Sequence, residues 1–196
     1  MTGSRPTRGS RLRSRGDGED DAEGGPVNLE DIQAVIESAK ARGTDQLATY
    51  VRGRLPEASA TEVQDAASVL LEIIESVPLI LAAAAQGAED RHLAHVVQPV
   101  LDRAARYFLH PMDIMPEMTL GLPGLLDDAY LVLRILQILE EGPRPLVDWD
   151  LDHPTSLIRS LLDEDVGQQL DAMSTLAFEE VADDVRQTWG AEPLDA

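Results

Sequence analysis

The sequence predicts an all-α fold, a single helical bundle of about six to seven helices behind a disordered N-terminal tail. Three observations carry that reading. Apolar residues recur at helical spacing in most segments from residue 32 to residue 189. No segment alternates apolar and polar residues as a half-buried strand does, and no internal repeat is visible. Glycine and proline fall mainly between the periodic segments, where helices stop. The expected organisation is a tail over residues 1–26, a helical domain over 27–190 with its motif core at 90–141, and a short C-terminal tail over 191–196.

Residues 1–26 are rich in Arg, Gly, Ser, Asp and Glu and have almost nothing to bury. They cannot offset the entropy of ordering, which predicts disorder. Asn28 with Asp31 marks a helix start, and Ile32, Val35, Ile36 and Ala39 hold one face until Gly43 ends it. Thr44 is placed to cap a second helix through Leu47, Tyr50 and Val51, which stops near Pro56. Ser59 and Glu62 have capping-box spacing. The third helix is predicted over 60–85, with Val69, Leu70, Ile73, Ile74 and Val77 on a wide apolar face and Pro78 kinking or splitting it. That width marks it as the central helix. After Gly87 a further helical pattern carries Leu93, Val96, Val97, Val100 and Leu101, with Pro99 at a new start or kink. Another helix is expected over 127–141, stopped by Gly142. Beyond a Pro-rich connector holding Trp149 and His153, Leu157, Ile158, Leu161 and Leu162 predict a short helix. Val166, Leu170, Met173, Ala177, Val181, Val185 and Trp189 form one stripe on a long last helix.

The most constrained residues lie between residues 107 and 139. Pro111 disfavours the helical region for His110 and stops the helix that ends in Tyr107, Phe108 and Leu109. Asp113, between Pro111 and Pro116, suits the unpaired N–H groups of a turn or helix start. Gly121, Pro123 and Gly124 form a loop, and Asp127 and Asp128 then open an apolar helix, where a carboxylate caps the backbone and suits the helix dipole. The pattern Pro-x-Asp-x-x-Pro followed by Gly-x-x-Asp-Asp resembles the YkvA-like family, a mostly bacterial domain of unknown function. The matching positions are Tyr107, Pro111, Asp113, Pro116, Gly124, Asp127 and Asp128. Glu117 departs from the family's usual Asp, and the loop from Pro116 to Asp127 is a residue longer than the pattern. The resemblance implies a small helical domain, membrane-associated in many relatives. It implies no reaction, substrate or catalytic residue.

Charge narrows the function classes. Residues 1–15 carry five Arg and no acid, which leaves 11 bases against 36 acids from residue 16 on, a net −25. Such a body repels phosphate backbones, so nucleic-acid binding by the folded part is excluded. Only the Arg-rich tail suits anionic lipid or nucleic acid. Lys40 is the sole lysine, a bias expected of a salt-adapted or GC-rich source. With no Cys there is no disulfide framework, and no apolar run follows the N-terminal arginines as in a secretory signal, so the expected location is the cytoplasm. A membrane location is the alternative. Each Asp or Arg near the centre of a span costs roughly 2.5–3.5 kcal/mol, which counts against a multi-pass topology through Glu72, Glu75, Asp127, Asp128 or Arg134.

Asp113, Glu117, Asp127 and Asp128 form a set of oxygen ligands suited to a hard cation, but turn and cap duty explains the same residues. Arg103, Arg106 or Arg134 are available to pair with them. Glu89 and His92 have the Glu-x-x-His spacing of di-iron bundles, with His95 three residues on, yet the chain has no second such element. A solvated polar helix face is the plainer account. There is no phosphate-binding glycine loop, His-Glu-x-x-His motif or recognisable nucleophile arrangement around His110 or His153. The motif positions are therefore read as structural, with no cofactor and no metal. The expectation is a non-enzymatic interaction module for an unidentified protein partner, with anionic-lipid contact through the tail. An integral or peripheral membrane protein and a divalent-metal enzyme built on the motif aspartates are the alternatives.

Overall fold

The computed structural model of the chain describes residues 28–109, 121–140, 146–147 and 149–189, with side chains up to residue 179. The expectations for the tails at 1–26 and 191–196, and for His110, Pro111, Asp113, Pro116 and Glu117, fall outside the described residues. Within them the fold is all-α, seven α-helices and one short 3-10 turn with no strand.

Local capping accounts for the first boundaries. Helix α1 (Leu29–Ala41) starts where the Asn28 side chain accepts from Glu30 N at 3.0 Å, and it ends before Gly43 at φ +128°. Helix α2 (Asp45–Arg54) follows at once, but Thr44 has a helical backbone and makes no side-chain cap, contrary to expectation. Helix α3 (Ala60–Asp90) opens with the predicted capping box: Ser59 N donates to Glu62 Oε2 at 2.7 Å, and Glu62 N to Ser59 Oγ at 3.3 Å.

Pro78 does not split α3. An interior proline costs about 3 kcal/mol, whereas burying one Ile, Leu or Val side chain contributes about 1.5–3 kcal/mol. Val77, Ile80 and Leu81 around the proline are all buried and outweigh it. Nor does Gly87 end the helix as the sequence suggested, because it lies inside α3 against the backbone of Leu146. The true end comes at His92, whose φ of +58° places it in the left-handed region. His92 N donates to Glu89 O at 2.9 Å and Leu93 N to Ala88 O at 2.8 Å, the paired bonds that close a helix end.

Helix α4 (Ala94–Leu109) carries Pro99 within it. The 3-10 turn Leu122–Leu125 runs directly into α5 (Leu126–Glu140), and α6 (Asp152–Leu161) and α7 (Glu164–Trp189) complete the order. His153, expected in the connector, stands in the first turn of α6.

The centre of the bundle is α5, not α3. Every residue of α5 from Leu126 to Leu133 is buried, and eight consecutive residues cover all sides of a helix. Contacts with α3, α4, α6, α7 and the 3-10 turn surround it. Helix α3, by contrast, keeps an outer face with Leu79 63% and Val69 38% exposed.

Candidate functional site

Two regions gather polar side chains, the motif turn and a cleft on the far side of α5. In the motif, Tyr107 stands half-buried in the last turn of α4, its hydroxyl accepting from Arg103 Nε at 3.2 Å and the Arg103 guanidinium lying 5.2 Å above its ring. Gly124 N donates to Gly121 O at 3.1 Å inside the 3-10 turn. Gly121 has φ +126°, and a Cβ there would fall 1.9 Å from Gln46 Oε1, so glycine lets α2 seat its side chain on the turn.

Asp127 and Asp128 are the second and third residues of α5 and are only 6% and 4% exposed. The sequence placed them as caps at a helix start. The 3-10 turn has changed that task, since Leu126 N already bonds Pro123 O and α5 begins without a gap. The two carboxylates instead sit in the core at the positive end of the helix dipole, and each takes part in an interaction within the protein. Among the described residues no group of three or more His, Cys, Asp or Glu is placed to hold a metal. Melting curves of the Asn and Ala variants of Asp127 and Asp128 separate the two uses of a carboxylate there. If hydrogen bonding is the role, Asn should lose less than Ala, whose cost is about 1–3 kcal/mol for a stranded buried partner. Equal damage by Asn and Ala, together with a wild-type melting point lowered by EDTA, would instead establish a cation.

Among the described residues, the acid that Arg134 pairs with is Asp171, away from the motif. The Arg134 side chain reaches across to α7, with Nε 3.3 Å from Asp171 Oδ1, while Arg159 of α6 brings its Nε to 3.6 Å from Asp171 Oδ2. The Tyr130 hydroxyl donates to Asp171 Oδ1 at 2.6 Å. These groups line a cleft of about 600 Å3 between α5, α6 and α7. Burial pushes the Tyr130 hydroxyl well above its ordinary value of 10.0, and the hydrogen bond and charge of Asp171 add to the shift against Arg134 and Arg159.

A pH dependence follows from this. A raised folded-state value means that Tyr130 contributes stability fully below its unfolded value of about 10, and that the contribution is lost as pH rises above it. Burial raises Tyr50 as well, so both tyrosines contribute to an alkaline fall in melting temperature. In Tyr130→Phe the fall should shrink, leaving the Tyr50 part, and stability at neutral pH should drop by about 1–3 kcal/mol for the lost bond to a charged acceptor. An unchanged alkaline profile in Tyr130→Phe would contradict this.

Further polar ties brace the bundle. Arg54 makes a two-pronged contact with Asp163, with Nη2 2.7 Å from Oδ2, and the Tyr50 hydroxyl donates to Leu161 O at 2.8 Å. The Arg54 guanidinium holds the Asp163 carboxyl below the usual range. Glu140 Oε1 accepts from Leu146 N at 2.9 Å and Val147 N at 3.2 Å, which anchors the connector at the end of α5. The supposed Glu-x-x-His face does not exist as one face: Glu89 lies in the last turn of α3, His92 is the left-handed residue beyond the helix end, and His95 belongs to α4.

Residues 104–133 are similar to a family whose model is described as a protein of unknown function, DUF1232. The matched stretch covers the end of α4, the motif and the first half of α5, including Asp127, Asp128 and Tyr130. No curated protein and no solved structure matches the chain.

Proposed function

We propose that the chain is a YkvA-like, non-enzymatic interaction module of the cytoplasm that binds a helical protein segment along the outer face of α3. The supporting observation is that face itself. Val69, Glu72, Ser76, Leu79, Ala83 and Gln86 recur at spacings of three and four along it, with Leu79 63% exposed. Asp65 lies exposed towards one end, Glu72 between Val69 and Leu79, and Glu89 and Asp90 towards the other end. Apolar anchors at Val69 and Leu79 interleaved with exposed acids suit a partner helix that carries apolar anchors and basic residues. The motif residues support the fold under this reading: Tyr107, Gly124, Asp127 and Asp128 are all engaged in turns, packing or the helix start.

A photoreactive side chain at position 79, introduced in native cells, tests the surface directly. It should trap a specific protein, and the trapped species should be lost when Val69→Glu is added. Val69→Glu is expected to leave melting within about 0.5 kcal/mol of wild type, as for an exposed position. Trapping that is absent, or unaffected by Val69→Glu, would overturn the proposal.

A membrane-attached form is the second reading. One helix among the described residues, α3, is long and apolar enough to cross a membrane by length and composition, with a mean hydropathy of 1.9 over its best window, 39% of which is buried in the bundle. Retention of the protein in native membranes after carbonate extraction would establish it, and release would exclude an integral form.

A further inference from the structure

The cleft between α5, α6 and α7 has the size of a small-molecule site, at about 600 Å3. Its lining is charge-balanced where the chain as a whole is acidic, with the guanidiniums of Arg134 and Arg159 set against the carboxylates of Glu164 and Asp171. In a sequence with 16 bases and 36 acids, two guanidiniums from different helices meet in it, on Arg134 and Arg159. Neither is free to swing into solvent, since their side chains are only 28% and 24% exposed.

Arg159 is also fixed from behind. A Cβ at Gly167 of α7 would fall 2.1 Å from its guanidinium carbon, so that glycine is what lets the group lie against the helix backbone. The two groups share Asp171 at 3.3 and 3.6 Å, longer than the roughly 2.7–2.9 Å of close charge-assisted bonds. Arg134 Nη1 donates to Gln137 Oε1 at 2.7 Å, and Arg159 Nη2 to Glu164 Oε1 at 3.1 Å. Since a guanidinium carries about five N–H donors, each fork keeps donors beyond these contacts. Ser156 places a hydroxyl in the same lining, one turn before Arg159.

We infer that this cleft binds the phosphate group of a small phosphorylated molecule, with Arg134, Arg159 and Ser156 as its donors. A phosphate has enough terminal oxygens to meet two forks and a hydroxyl at once, which a carboxylate does not. Asp171 acts as the internal stand-in: its carboxylate holds both guanidiniums in place through long contacts that an incoming anion displaces, while Tyr130 retains it by the 2.6 Å bond.

Nuclear magnetic resonance of the full chain, titrated with inorganic phosphate and with glycerol 3-phosphate at ionic strength held constant with sodium chloride, tests the site. Saturable shifts at the Nε–H signals of Arg134 and Arg159, with a raised melting temperature, are expected. Arg134→Gln and Arg159→Gln should weaken binding about tenfold or more, each removing bonds to a charged acceptor. Arg159→Lys keeps the charge but loses the fork, and Gly167→Ala shifts Arg159 without altering any charge; both should also weaken binding. Circular dichroism without phosphate establishes which variants fold, and these two conservative ones carry the test where a Gln variant does not. Shifts reproduced by chloride alone, affinity unchanged in Arg159→Lys and Gly167→Ala, or a response only to phosphatidic acid vesicles would each overturn the small-molecule site.

Discussion

Alanine at Leu131 and alanine at Leu133 should each destabilise the protein by about 2–5 kcal/mol, although the two side chains point to opposite sides of the same helix. Residues two apart are separated by about 200° around a helix axis, so on a surface helix one of them would face water. In α5 they are 2% and 0% exposed. The loss at each has two sources, the transfer of the removed methyl groups and the cavity left in a core that closes from both sides. Leu79→Ala on α3 is the contrast, because Leu79 is 63% exposed and should change stability by about 0.5 kcal/mol or less. Urea unfolding of the three variants decides the matter. Tolerance at either Leu131 or Leu133 would give α5 a free face and remove it from the centre of the bundle.

The placement of α5 at the centre marks the limit of what the sequence discloses. Helix starts governed by neighbours in the chain were legible: Asn28 bonds Glu30, and Ser59 and Glu62 cap each other as their spacing predicts. Features decided across the fold were not. Gly87 reads as a stop, and only the Leu146 backbone lying beside it explains why a glycine occupies the interior of a helix. His92 reads as a polar or metal-binding residue, whereas its backbone closes α3. The apolar width of α3 exceeds what the core uses, and the surplus remains on the outside as Val69 and Leu79.

The candidate sites divide in the same way. The motif stretch stands out because its prolines, glycines and aspartates are close in sequence, and the matched family segment coincides with its end in α5. The burial of Asp127 and Asp128 depends on the 3-10 turn in front of them, which no cap signal announces. The cleft is assembled from Tyr130, Arg134, Arg159 and Asp171 on three helices, and nothing local links those positions. In the sequence Arg134 and Arg159 look no different from the other arginines of the body, so no local signal announces the cleft.

Adding one methyl group should have opposite effects at two helical glycines, and the difference reports on the packing of the connector against α3. At Gly53 of α2 a Cβ meets nothing within 4 Å, so Gly53→Ala gains helix propensity and should stabilise by about 0.5–1 kcal/mol. At Gly87 the same atom would fall 2.2 Å from Leu146 O and 3.0 Å from its carbonyl carbon. These are backbone atoms, tied down by the bond from Leu146 N to Glu140 at 2.9 Å, so they cannot rotate away as a side-chain tip does. The connector must shift, and with it the bridge in which Arg91 Nη1 donates to Gly87 O at 2.8 Å and to Leu146 O at 3.2 Å. The overpacking alone costs about 1–3 kcal/mol and outweighs the propensity gain, so Gly87→Ala should be less stable than wild type. Glu140→Gln added to Gly87→Ala should then cost less than Glu140→Gln alone, because a connector already displaced no longer uses that carboxylate. Full additivity of the two changes, or stabilisation by Gly87→Ala comparable to that by Gly53→Ala, would show that the connector does not rest on α3 at Gly87.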